Sequence, residues 1–258
     1  RHPRALCIPR DGNPGFAAGV NDAARHASAP FLCLLNPDTL VEDPLDHLED
    51  WLDTHPASSV VGPRVLNDDG TTQPSARCFP GWSTVFGGRS TWLTRRFPEN
   101  WLSRQNLLGL RSREALDVDW ISGACLMTRR EVFERLGGLD ESFFLYWEDA
   151  DYCRRVVAAG AACTYLPQVS IRHSGNGSAR FDQAVAIRSF HRSAFHLYWK
   201  YAGLLKRLGA PIVRLGLYLR GEFRLRQALG RPAPRLPTES LAAAARTRAE
   251  VERSVQSV

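Results

Sequence analysis

Several things are scarce in this chain of 258 residues, and each scarcity removes a class of protein from consideration. Methionine occurs once, at Met127, so Arg1 is not an ordinary translation start and further N-terminal sequence is expected before it. Cysteine occurs six times, at 7, 33, 78, 125, 153 and 163. With no C-x-x-C pair and no repeated spacing, these cysteines argue against a zinc site or a disulfide framework and point to a reducing, cytosolic setting. No signal peptide opens the chain, and no stretch reaches the roughly 18 uninterrupted apolar residues of a spanning helix. The best candidate, APIVRLGLYL, is short and broken by Arg214. Acidic residues are nearly missing from Lys200 to Arg226, where Glu222 stands alone, so the net charge of +6 is largely a C-terminal property. Such a segment suits an anionic membrane surface or a phosphorylated substrate. Acidic residues crowd 38 to 53 and 140 to 151 and no nucleic-acid reading module is present, which argues against nucleic acid as a partner.

What is present reads as alternating helix and strand. GFAAGVNDAARHASAP follows a Gly/Pro turn and ends at Pro30, which predicts a short helix over about 17 to 28. FLCLL follows as an unbroken apolar run, the pattern of a strand buried on both faces of a parallel sheet. In EDPLDHLEDWLDTHP, Asp43 is a candidate N-cap, with Pro44 at the first helical position and Leu45, Leu48 and Leu52 on one face. SSVVGPRVL reads as a strand and NDDG as a turn. Residues 74 to 116 mix Pro and Gly with Trp82, Trp92 and Trp101 and show no period. The segment reads as an irregular insert whose tryptophans either hold a substrate or pack its own small core. DVDWISGACLMTRR is strand-like, with Gly123 and Ala124 permitting close approach, and REVFERLGG is a short helix closed by Gly137. A helix begins at Asp149, CTYLP and VSIRH are two short strands, SGNGSAR is a loop, and helical pattern returns from about Asp182.

Four features could carry chemistry, and each has a plainer reading beside it. Asp38 directly follows an apolar strand in LLNPDT, the place where open α/β sheets gather ligands; Asn36, Pro37 and Asp38 also suffice to make a turn. Glu148, Asp149 and Asp151 crowd the start of a helix behind FFLYW. Carboxylates there are favoured by the helix dipole at about 0.3–1 kcal/mol each, whereas the aromatic bulk could exclude water and lift a carboxylate toward a useful base. His173 closes a strand beside Arg172, as a structural group or a metal ligand. Arg77, in SARCFPG, is a phosphate clamp or an ordinary cation.

Taken in order, NPGFAAGVN, LLNPDT, SARCFPG, WISGACLMTRREVFERLGGLDESFFLYWEDADYCRRVVAAG and IRHSGNGS resemble the family 2 inverting glycosyltransferases of GT-A fold, and among them the bacterial rhamnosyltransferase-like group. The likeness covers roughly residues 13 to 178, and the long central block is its most specific part. It implies a mostly parallel, Rossmann-like central sheet flanked by helices, lacking its N-terminal segment, and a helical C-terminal extension. The expected divisions are a catalytic domain over 1 to 180, the extension over 181 to 230 and a solvated or disordered tail over 231 to 258.

In chemical terms the resemblance implies transfer of a sugar, with rhamnose favoured, from a nucleoside-diphosphate donor to a hydroxyl of a lipid-linked or polysaccharide acceptor, with inversion. Asp149 would be the general base and Glu148 would orient it or the acceptor. Asp38 would hold Mg2+ or Mn2+ against the donor diphosphate, with His173 as a further ligand. Asn36 stands where the family usually has a second acid. Gly15 and Asn21 would help bind the donor, and Arg77 and Trp147 the acceptor or a phosphate. The location implied is cytoplasmic, at the inner face of the plasma membrane if the basic C-terminal helices touch it. A non-catalytic sugar-nucleotide or glycan-binding remnant is the alternative.

Overall fold

The computed structural model describes residues 5–79, 96, 112–174 and 183–229. Trp82, Trp92 and Trp101, most of the loop after His173 and the tail from 231 lie outside the described residues.

The predicted helices and strands are present with small changes of length. Helix α1 spans Phe16–Arg25, strand β1 Phe31–Leu35, strand β2 Thr39–Val41, helix α2 Asp46–Thr54 and strand β3 Ser58–Leu66. Short strands β4 (Thr72–Gln73), β5 (Ala76–Arg77), β6 (Leu116–Val118) and β7 (Trp120–Ile121) precede β8 (Cys125–Arg129). Helices α3 (Arg130–Arg135) and α4 (Glu148–Ala158) and strand β9 (Ala162–His173) follow. Helices α5 (Gln183–Tyr201), α6 (Leu204–Leu208) and α7 (Ala210–Leu229) complete the described elements.

The main sheet runs β1-β8-β3-β9-β2, with β4 added to β3 and β6 to β9. It is mixed, not mostly parallel: β3 and β9 pair in parallel, while β1–β8, β8–β3, β9–β2, β3–β4 and β6–β9 are antiparallel. The cause is β8, which inserts in the reverse sense between β1 and β3, two strands that point the same way. Nor is β1 buried on both faces. In the described sheet it lies at an edge, pairs only with β8 and alternates, with Leu32 and Leu34 buried and Cys33 and Leu35 exposed. The two short strands expected at CTYLP and VSIRH are one strand, β9, whose pairing with β3 jumps from Leu166 to Ser170.

Alternation along β3 and β8 separates two apolar layers, since successive side chains of a strand point to opposite faces. Val60 and Leu126 join Tyr152 and Val156 of α4 on one face. Val61, Val65 and Met127 join Leu48 and Leu52 of α2 on the other. Leu48 and Leu52 are wholly buried, worth about 1.5–3 kcal/mol each. Asp43 does not cap α2. Its carboxylate accepts hydrogen bonds from the N–H and hydroxyl of Ser170 on β9, and the helix starts three residues later without a side-chain cap.

Candidate active site

Strands β1, β3 and β9 all end at the same side of the sheet, and the chain between β1 and β2 must cross that side from one edge to the other. Residues 36 to 38 make the crossing. On the way the Asn36 N–H donates to the Ala124 carbonyl at the start of β8 (3.0 Å). At its end Asp38 Oδ1 lies 3.2 Å from His173 Nε2, at the terminus of β9. The turn at NPDT and the ligand-bearing position are therefore the same structure.

Gln73 orients His173. Its amide nitrogen donates to the His173 carbonyl (2.6 Å) and its amide oxygen faces Nδ1 at 3.3 Å, so Nδ1 carries the proton. Nε2 then presents a lone pair toward Asn36 Nδ2 (3.3 Å) and Asp38. A lone pair and a carboxylate oxygen facing each other at that distance favour a cation between them. Among the described residues no three of His, Cys, Asp and Glu gather as a closed metal cage. Two protein donors with open positions nevertheless fit Mg2+ or Mn2+, hard ions that take remaining oxygens from phosphates and water.

The second half of the site is the start of α4. Tyr146 and Trp147, just before it, both have left-handed backbones (φ 67° and 73°), a conformation that costs non-glycine residues of order 1–3 kcal/mol and collects at functional sites. Packing holds them there. Trp147 sits between Trp120 (6.0 Å) and Phe190 of α5 (5.3 Å), Tyr146 meets Phe190 edge-on, and Ser193 donates to the Leu145 carbonyl.

This strained turn delivers Asp149 to the Gly123–Ala124 peptide. The Gly123 N–H donates to Oδ2 (2.8 Å) and the Ala150 N–H to Oδ1 (2.7 Å). Asn36 and Asp149 are thus hydrogen-bonded to adjacent residues, Ala124 and Gly123, and this short backbone segment joins the two halves. Burial pushes the Asp149 carboxyl upward, while those N–H groups and the Arg77 guanidinium pull it back. Glu148 has less help, a backbone hydrogen bond alone. Burial and then the charge on Asp149 push it up to about 8, and among the described residues its buried Oε2 has no partner. Tyr146 is pushed up by burial, then by Glu148 and Asp38, which places its hydroxyl in the field of both halves.

Other expected site residues have different occupations. The Asn21 amide nitrogen donates to the Leu139 carbonyl and Glu141, and its oxygen accepts from the Leu139 N–H, so the side chain clamps α1 to the segment after α3. Gly15 has a structural demand of its own. With φ 97° it lies against Phe144, whose carbonyl oxygen a Cβ would overlap. Arg77 gives its Nε to the Pro74 carbonyl and lies 4.8 Å over Trp120, where it acts on Asp149 through its field. The Trp147 indole N–H is buried without a partner. Asp151 is not a solvated helix-start charge. It is fully buried, paired with Arg155 (2.9 Å), Lys200 (2.7 Å) and the Tyr201 hydroxyl (2.8 Å).

Sequence reasoning missed Gln73, Tyr146, and the bracing by Phe190 and Ser193. Gly123 had left a trace, since a Gly-Ala pair in a strand signals close approach.

A mixed sheet with a carboxylate-histidine pair at its strand ends and a half-buried carboxylate at the start of α4 is an arrangement suited to an enzyme that handles a ligand there. The chain belongs to glycosyl transferase family 2, whose family model matches residues 1–137. It is 30% identical over 245 residues to the N-acetylglucosaminyl-diphospho-decaprenol L-rhamnosyltransferase of Mycobacterium tuberculosis H37Rv, spanning 90% of this chain and 79% of that one. It is 33% identical over 186 residues to the O-antigen biosynthesis protein RfbC of Myxococcus xanthus, covering 70% of this chain and 14% of that one. Among solved structures, the mannosyltransferase PcManGT of Pyrobaculum calidifontis, in complex with GDP-Man and Mn2+, matches 91% of this chain and 60% of its own at 18% identity and TM-score 0.42.

Proposed function

We propose that this glycosyltransferase moves a deoxyhexose, rhamnose in the first instance, from a nucleoside-diphosphate sugar to a hydroxyl of a lipid-linked acceptor, with inversion at the anomeric carbon. The rhamnosyltransferase relative, whose printed name gives a diphospho-decaprenol acceptor, supports the substrate class. The observation that carries the chemistry is the placement of Asp149: half-buried, fixed by two backbone N–H groups, and held by Gly123, the residue next to Ala124, whose carbonyl anchors the Asn36–Asp38 crossing.

In this reading Asp149 removes the acceptor proton as the acceptor oxygen attacks the anomeric carbon from the face opposite the leaving diphosphate. Direct displacement by one base gives inversion. Asp38 and His173 would hold Mg2+ or Mn2+, which supplies charge neutralisation to the departing diphosphate. Asn36 completes their orientation, and Gln73 fixes the tautomer that leaves Nε2 available. Glu148 Oε2 and the Trp147 N–H, both buried without partners, are satisfied by an acceptor hydroxyl that donates to one and accepts from the other. The basic, apolar C-terminal helices are the surface that would meet the membrane holding such an acceptor.

The test is a transfer assay with dTDP-rhamnose and a short-chain lipid-linked acceptor, comparing the protein with Asp149→Asn. Turnover that falls at least a hundredfold in the variant, with donor binding retained, is expected. Full activity in the variant removes Asp149 from the mechanism. Donor binding by the unaltered protein without any turnover favours the non-catalytic alternative.

A further inference from the structure

A cavity of about 500 Å3 lies between α5 and α7, walled in part by Tyr146, Gln183, His191, Arg220, Arg224 and Gln227. The mechanism above uses none of its charged groups. Arg220 and Arg224 are one turn apart on the same helix. Partial desolvation, then the neighbouring Arg224 charge, lowers the pKa of the solvent-facing Arg220, and the two like charges border one cavity. His191 donates from Nδ1 to the Ile187 carbonyl (2.8 Å), which leaves Nε2 as an acceptor, buried without a partner.

Tyr146 belongs to both the cavity and the catalytic site. From Tyr146 to Asp149 the chain spans at most about 11 Å, the reach of one sugar and the phosphate on its anomeric oxygen. On its outer side the same helix carries Ile212, Leu215, Leu219 and Phe223, each more than half exposed. Three features are thus arranged in sequence: a base, a dicationic cavity and an apolar face. A lipid-linked sugar diphosphate has the same order of hydroxyl, anion and hydrocarbon.

We propose that this cavity is the subsite for the acceptor's diphosphate, with Arg220 and Arg224 clamping the anion and the hydrocarbon leaving along the exposed face of α7. The inference rests on the lipid-linked acceptor of the proposed function. The donor diphosphate belongs elsewhere, at Asp38 and His173. Gln183 and Gln227 supply neutral donors to the remaining phosphate oxygens, and His191 Nε2 accepts from a sugar hydroxyl beside the phosphate.

The test measures calorimetric binding of geranyl diphosphate to the full chain in a metal chelator. Expected are binding by the unaltered protein and by Asp38→Asn, at least a tenfold loss in Arg220→Gln/Arg224→Gln, and a smaller loss in Arg220→Lys/Arg224→Lys. Gln227→Glu, an exposed change that adds a repelling charge without removing a buried group, should weaken binding and covers the case in which the double variant does not fold. No binding by the unaltered protein, or binding by both the Gln pair and Gln227→Glu as tight as that of the unaltered protein, overturns the proposal. Loss in Asp38→Asn equal to that in the arginine variants assigns the diphosphate to the donor site and overturns it too. A parallel titration with phosphatidylglycerol vesicles separates the sources: if the arginine variants lose vesicles but keep geranyl diphosphate, the cavity reads membrane headgroups and the proposal fails. Binding as expected without sugar transfer sinks the proposed function and leaves the cavity. Transfer at unchanged acceptor KM in Arg220→Gln/Arg224→Gln does the reverse.

Discussion

Asp149 meets two demands that oppose each other. Burial raises its proton affinity, which the proposed base needs, and two backbone N–H groups pull it back and aim the carboxylate. Removing the charge alone, in Asp149→Asn, should lower kcat by about 10^2–10^4, the usual worth of a general base, with donor affinity little changed. Glu148 carries the cost of this arrangement. Its pKa is higher folded than unfolded, so the native state keeps a proton that the unfolded chain releases, and stability falls as pH rises from the ordinary 4.5 to about 8. Glu148→Gln should therefore raise Tm more at pH 9 than at pH 5, by about 2–4 °C for each kcal/mol relieved; a pH-independent difference in melting scans would contradict the buried-acid account. At this scale Asp149, Asp38 and His173 were legible because each sits beside a turn or strand end that marks it. Gln73 was not, since its contact with His173 joins two strands 100 residues apart. The clamp made by Asn21 was equally hidden: an amide in a helix offers no local sign that Leu139 and Glu141 satisfy it.

Helix α4 is fastened at both ends of its first turn, and the fastening differs from its chemistry. Asp149 faces β8, whereas Asp151 is buried against Arg155, Lys200 and Tyr201 and joins α4 to α5. Cutting that joint strands cations around a void. Asp151→Ala should destabilise by roughly 3 kcal/mol, as a broken buried ion pair does, visible as a lower denaturant midpoint. The sequence displayed three acids in four residues and could not divide them, because the division depends on a helix 50 residues later. Element types were readable from period and punctuation, as in α1, β1 and β3. Strand directions were not: the antiparallel insertion of β8 is a property of its neighbours, and nothing within CLMTR encodes it.

For the whole molecule, the exposed surface gathers at the C-terminal end. Leu204, Leu205, Leu208 and Ile212 are each more than three-quarters exposed beside Lys206 and Arg207. No helix of the described residues is long and apolar enough to cross a membrane. A basic amphipathic surface of this kind is suited to a membrane interface, which we propose as its partner. Leu205→Glu/Leu208→Glu should abolish flotation with anionic vesicles while leaving far-UV circular dichroism unchanged, and flotation that persists would place any membrane contact elsewhere.

The brace beneath the FLYW turn also has a consequence in time. Phe190 and Ser193 hold up a backbone that does not favour its own conformation, and they are made more than 40 residues after Asp149. On a ribosome adding about 5–20 residues each second, the sheet and α4 emerge seconds before their support. Until α5 docks, the nascent chain would carry Asp38, His173 and Asp149 without the support that aims Asp149, so the order of synthesis would delay assembly of the candidate site until α5 is in place.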